Sequence, residues 1–182
     1  MLVWLNLLIC IAAIGFAGAR LSRYGDVIAE LDWSIGQILD AVRRANLDND
    51  TLVIFTSDNG PWLSYGDHAG SAGHLREGKG TTFEGGVRVP FIARWPGRLP
   101  AGLVYDRPVI NLDVAATAVA NAGNEPGKLI RPALDGVNLV PFLTGEDPNA
   151  PHDRLFWRWR SQSAVLEFPW KLVRLGPQEQ FL

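Results

Sequence analysis

The stretch from Thr51 to Pro61 constrains the fold more than any other part of this chain. Leu52 to Phe55 are apolar, β-branched or aromatic, with no polar alternation. That is the composition of a strand covered on both faces, as in a parallel sheet packed between helices. Gly60 and Pro61 then stop the strand. In open parallel sheets, ligands gather just beyond the carboxyl ends of the strands. Asp58 and Asn59 stand at that edge. They offer hard oxygen atoms of the kind that Ca²⁺ or Mg²⁺ takes as ligands. The same stretch therefore predicts both a layered fold and a site.

The segment before it agrees. From Ser22 to Ala45, Ile28, Leu31, Ile35, Ile38 and Val42 recur at steps of three and four, with Val27 and Leu39 widening the stripe. This spacing predicts an amphipathic helix, and Arg43 and Arg44 suit the negative end of its dipole. Asn46 to Asp50 is a polar turn. Helix, turn and buried strand place the chain in the α/β class, with a mostly parallel sheet flanked by helices.

Further along, Trp62 to Thr82 is glycine-rich and without sustained period, hence a loop of a length that is usually functional or disordered. A second strand is expected near Val89 to Trp95, closed by Pro96 and Gly97. A short strand is expected over Pro108 to Ile110, and a helix over Leu112 to Ala122 with Gly123 as its C′ residue. Asp135 and Gly136 mark a turn, followed by a short apolar element. Pro148 to Pro151 reads as a boundary. Beyond it, Leu155 to Trp159, Ala164 to Phe168 and Trp170 to Arg174 predict the start of a small antiparallel sheet.

The chain's 182 residues can bury one core and part of a second. A net charge of −2, with no basic stripe, excludes a nucleic-acid partner. Cys10 is the only cysteine, which excludes an intrachain disulfide framework and a thiolate metal cluster. Met1 to Ala19 is nearly all apolar and ends in Ala17, Gly18 and Ala19. It fits a secretory signal cleaved after Ala19, although no Lys or Arg precedes it. It also fits a membrane anchor, which needs roughly 17 to 25 apolar residues, or a buried element of a larger protein. The first two readings imply export, with membrane contact through residues 1–19.

In the loop from Gly66 to Gly86, glycines let the backbone approach a ligand closely. Lys79, between two glycines, suits a sulfate- or phosphate-type oxyanion, whereas a merely solvated lysine is the plainer reading of the spacing alone. His68 and His74 share this loop. Solvated loop histidines are the plainer reading of both, and His74 is retained as a candidate acid–base group facing substrate. Arg76, Glu77, Glu84 and Arg88 are expected to form ion pairs that hold the loop. His152 reads as structural. Trp157, Trp159 and Trp170 fit either a sugar-binding face or the core of the small sheet.

Three pieces in order carry a resemblance: Thr56-Ser-Asp-Asn-Gly-Pro61, Leu75-Arg-Glu-Gly-Lys-Gly-Thr-Thr-Phe-Glu-Gly-Gly-Val-Arg-Val-Pro90, and Leu134-Asp-Gly-Val-Asn-Leu139. On these the chain resembles the sulfatase family of the alkaline-phosphatase-like superfamily, over most of residues 24 to 175. The likeness implies a truncated form of that fold, divided as an apolar leader over 1–21, part of the catalytic domain over 22–150 and the start of a C-terminal subdomain over 151–182. It implies hydrolysis of a sulfated small molecule or glycan by a formylglycine made from a Cys/Ser-x-Pro/Ala-x-Arg motif. A hydroxyl of the aldehyde hydrate attacks sulfur, and a Ca²⁺ holds the sulfate oxygens. By resemblance, Asp58 and Asn59 are two of the Ca²⁺ ligands, and Lys79 contacts the sulfate.

The departures are specific. Cys10 is followed by Ile11, Ala12, Ala13 and Ile14, so it does not fit the formylglycine motif, and no serine here lies in one. Two side chains do not fill a Ca²⁺ shell of about 6 to 8 oxygens. The expectation is thus an arylsulfatase-like protein, with this chain alone weakly active or inactive. Two other readings stand beside it: a non-catalytic exported or anchored protein that binds sulfated glycans, and a phosphoric ester hydrolase of the same superfamily.

Overall fold

A computed structural model describes residues 23–123, 134–176 and 178–181. Residues 1–22, which include Cys10 and the segment 1–21 expected to be an apolar leader, lie outside the described residues. Among the described residues no helix is long and apolar enough to cross a membrane. The chain falls into two compact units. Of the described residues, 23–80 and 84–104 form the first. Residues 81–83 and those from 105 onward form the second.

The first unit is a helix on a two-stranded sheet. Helix α1 runs from Arg23 to Arg44. Strand β1 is Val53–Thr56 and strand β2 is Phe91–Arg94, joined by a loop that contains the one-turn helix α2, Glu84–Val87. Leu39 of α1 and Ile92 of β2 are buried, and Ile35, Val53 and Phe55 close around them. Full burial of each such aliphatic side chain contributes about 1.5–3 kcal/mol. The apolar stripe of α1 is wider than this contact, so Val27, Leu31 and Ile38 remain exposed. Asp48 and Arg94 pair at 2.7 Å, and the Trp95 indole N–H donates to the Asn49 carbonyl at 2.7 Å. Together they tie β2 to the 3-10 turn Asp48–Asp50 that precedes β1.

Two expectations change here. β1 and β2 pair antiparallel, with Val53 opposite Arg94 and Thr56 opposite Phe91. The parallel neighbours expected for β1 are not among the described elements. β1 is also half-buried along its whole length rather than covered on both faces, since α1 packs on one side of it.

The second unit combines helix α3, Leu112–Asn121, helix α4, Val140–Thr144, and a four-stranded antiparallel sheet. Its strands follow one another in order: β3 Leu155–Trp159, β4 Gln162–Glu167, β5 Trp170–Leu175 and β6 Gln178–Phe181. This sheet was expected, although β4 begins at Gln162 rather than Ala164. One reason is visible at that residue, whose side-chain oxygen accepts the Thr82 N–H at 3.2 Å. Phe83, Ala164 and Val173 form the core, with Trp157 and Leu175 packed against it. Trp157 is therefore a core residue, whereas Trp159 and Trp170 are exposed.

Pro108–Ile110 is not a strand. Pro108 has no N–H to give a ladder, and the Ile110 N–H donates instead to the Asp113 carboxylate at 2.8 Å. Gly123 does adopt the left-handed conformation expected of a C′ residue, with φ of +83°. The stretch from Pro148 to Pro151 lies within the second unit.

Candidate functional site

The end of β1 opens into a turn held by main-chain contacts. The Ser57 hydroxyl donates to the Asn59 carbonyl at 2.9 Å, closing a tight bend that leaves Asp58 exposed and Asn59 half-buried. The Gly60 N–H then donates to the Gly86 carbonyl at 3.0 Å. The Pro61 carbonyl accepts two N–H groups, from Lys79 at 2.8 Å and from Leu63 at 3.1 Å. Asp58 and Asn59 are thus followed, two residues later, by the carbonyl that anchors the Lys79 backbone.

Glycine makes this approach attainable. A Cβ on Gly78 would run into the Pro61 carbonyl oxygen and come within 2.9 Å of Leu63 Cγ. A Cβ on Gly85 would collide with the Glu77 carbonyl oxygen and stand 2.6 Å from that of Arg76. The Gly85 N–H donates to this Arg76 carbonyl at 2.8 Å. Gly78 and Lys79, and likewise Gly85 and Gly86, therefore lie backbone to backbone against the turn after β1.

The Lys79 side chain is exposed, with Nζ 5.5 Å from the centroid of the Trp62 ring. The Tyr65 ring stands 4.5 Å from that of Trp62, tilted by 39°. His68 and His74 are both exposed. Among the described residues, no hydrogen bond or ion pair is found between His74 and Asp58, Asn59 or Lys79. Of the expected loop ion pairs, Glu84 and Arg88 approach to 4.0 Å at the surface, where such a pair contributes little. Arg88 is exposed rather than held beside a buried strand.

Asp58 and Asn59 match a hard cation in the kind of donor they offer. Their number falls short of a Ca²⁺ shell. Among the described residues no group of three or more His, Cys, Asp or Glu side chains is arranged to hold a metal ion.

The sequence reading missed one residue of structural weight, Asp113. It is fully buried in the first turn of α3. Its carboxylate accepts the N–H groups of Ile110 at 2.8 Å and Val137 at 2.9 Å. His152 Nε2 lies 2.9 Å from both of its oxygens, so that nitrogen is the donor. Asp113 therefore fastens three separate segments of the second unit, and His152 is structural as expected. A carboxylate reaching back at a helix start is a recognisable local signal for half of this arrangement. A cleft of about 490 Å³ also opens on the second unit's sheet, among Arg158, Arg160, Ser163 and Arg174. None of these was singled out in the sequence.

The model of a protein family described as Sulfatase matches residues 12–124. Human (Homo sapiens) steryl-sulfatase is 42% identical over 166 residues, covering 82% of this chain and 28% of the relative. Arylsulfatase A of Bos taurus is 42% identical over 134 residues, covering 74% of this chain and 26% of the relative. Among solved structures, the PsFucS1 sulfatase from Pseudoalteromonas sp. superposes with a TM-score of 0.74 at 27% identity. That superposition covers 87% of this chain and 34% of that one. The chain spans less than a third of the length of these curated relatives.

Proposed function

The chain belongs to the sulfatase family, and on that premise we propose that it supplies the sulfate-binding edge of a sulfuric ester hydrolase. Lys79 neutralises the sulfate group as a compact, freely hydrated cation. Asp58 and Asn59 are two oxygen ligands of a Ca²⁺, which when bound would draw charge from the sulfate oxygens; the family is generally metal-dependent. The observation that carries the reading is the 2.8 Å bond from the Lys79 N–H to the Pro61 carbonyl, which joins the lysine's loop to the turn bearing both ligands. His74 is a lesser candidate for proton transfer.

Residues 22–150 are taken as part of the catalytic domain and 151–182 as the start of a smaller subdomain. Met1–Ala19 is read as an export signal or anchor, which puts the protein outside the cytoplasm.

No Cys/Ser-x-Pro/Ala-x-Arg sequence occurs in these residues. This favours binding without turnover by the 182-residue chain itself. The test is a two-dimensional NMR titration of the isotope-labelled chain with inorganic sulfate, with and without Ca²⁺. Lys79→Ala should weaken sulfate binding about tenfold or more, the range expected for a hydrogen bond to a charged group. Asp58→Ala should abolish any effect of Ca²⁺. Equal sulfate affinity in Lys79→Ala would sink the reading, and a preference for phosphate would move it to phosphoric esters. Release of product from an aryl sulfate by the chain alone would refute the claim that it does not turn over.

A further inference from the structure

Beside the lysine stands a feature that sulfate binding does not require. Trp62 and Tyr65 are 50% and 57% exposed, although both are large aromatic side chains. They are not loosely hung. The Tyr65 N–H donates to the Trp62 carbonyl at 2.9 Å, and the Leu63 N–H to the Pro61 carbonyl at 3.1 Å. Both bonds lie at the start of the 3-10 segment Leu63–His68. Pro61, which fixes that start, also accepts the Lys79 N–H at 2.8 Å. The Lys79 backbone and the residue that follows Trp62 therefore share one carbonyl, and Gly78 lies against Leu63 with no room for a Cβ. The outcome is an ammonium 5.5 Å from one ring centroid, with a second ring tilted at 39° beside it.

An exposed aromatic pair costs solvation unless something covers it, and a cation at its rim selects what that is. A molecule with an apolar ring face and an anionic group on its edge fits both features at once. We propose that Trp62, with Tyr65, is a specificity-determining wall that recognises the ring of the alcohol carrying the sulfate. Esters of ring alcohols are thereby preferred over esters of small acyclic ones. The inference rests on Lys79 as the sulfate contact, and adds the residue that reads the other half of the ester. The shared chemistry is the flat apolar face, which an aryl ring and a saccharide ring both present.

The experiment is the same NMR titration of the full chain with four probes: inorganic sulfate, methyl sulfate, phenyl sulfate and a 6-sulfated methyl galactoside. The expected result is that at least one ring ester binds roughly fivefold more tightly than methyl sulfate, in the range of an aromatic contact. Which ring gains then names the alcohol class. Trp62→Ala should bring this ratio close to one. The ratio compares esters that share the same sulfate contact, so it isolates the ring contact even where the loss of the Trp62 ring beside Lys79 also shifts inorganic sulfate affinity. Trp62→Phe, which keeps a ring face, should retain most of the ratio, and it tests the idea even if the alanine variant folds poorly. Equal binding of methyl sulfate and both ring esters to the unmodified chain would overturn the inference, as would a ratio unmoved by either substitution. Failure of the sulfate reading looks different, since Lys79→Ala would then leave inorganic sulfate binding intact.

Discussion

Replacing Gly60 by alanine tests whether main-chain packing sets the site. The added Cβ would collide with the Gly85 carbonyl oxygen, lie 2.9 Å from the Gly85 carbonyl carbon and 3.2 Å from Gly86 Cα. Ordinary carbon–carbon contacts are about 3.5–4.0 Å. The atoms in the way are backbone, with no rotamer to yield, so the turn itself must move. Such overpacking costs about 1–3 kcal/mol. Movement also strains the 3.0 Å bond from the Gly60 N–H to Gly86, whose loss costs about 1–3 kcal/mol where the group is shielded from water. Opposing this, alanine restricts the unfolded chain and contributes about 0.4–1 kcal/mol in favour of folding. The clash wins, giving a net destabilisation of about 1–5.5 kcal/mol.

Gly36→Ala is the matching control. Gly36 lies in the middle of α1, and a Cβ there would meet nothing within 4 Å. The same chemical change should then stabilise by about 0.5–1 kcal/mol. Urea denaturation of the three proteins, compared at similar slope, reads both signs. A Gly60→Ala protein within about 0.5 kcal/mol of the unmodified chain, or shifted in the same direction as Gly36→Ala, would refute the reasoning.

Two further outcomes follow from named contacts. Asp113→Asn replaces an acceptor-only group, which meets three donors, by one that turns an NH₂ toward at least one of them. It should cost about 2–4 kcal/mol, measured as a lower urea midpoint, and near-native stability would contradict the fastening role. The Arg94 hydrogen bond and charge hold the Asp48 carboxyl below its ordinary value of 3.8. That depressed value means the pair contributes fully above pH 3.8 and loses its contribution as pH falls through the lower folded value. The stability gap between the unmodified chain and Asp48→Asn should therefore narrow below about pH 4, and a gap that stays constant down to pH 2 would remove the pair as its cause.

How much was legible depended on the range of each signal. The periodicity of Ile28 to Val42 gave helix α1, the apolar run ending at Phe55 gave β1, and the glycine pattern around Lys79 marked the loop that meets the strand's end. Each is encoded within about a dozen neighbours. The antiparallel partner of β1 was not readable, because β2 has the same composition whichever way it runs. Asp113 hid as an ordinary acidic residue in a helix's first turn, and its partners Val137 and His152 lie far along the chain. Trp62 and Tyr65 carry no local signal that sets them apart, because Lys79, whose ammonium lies 5.5 Å from the Trp62 ring, comes 17 residues later in the chain. The misplaced strand at Pro108 failed because a side chain 3 residues away takes the N–H that a ladder would have used.

The glycine contacts around Pro61 have a thermal consequence. A binding edge shaped by side chains loosens gradually on warming, as rotamers become populated one after another. An edge in which carbonyl rests on α-carbon has no side-chain rotamers to excite, and the close backbone contacts leave its glycines little room to use their wide φ/ψ range. The ligand-bearing turn and the Lys79 backbone should hold their spacing nearly unchanged until this segment comes apart as a whole. The accompanying cost is evolutionary: Gly60, Gly78 and Gly85 each admit a single amino acid, so the segment buys stiffness by giving up room to vary.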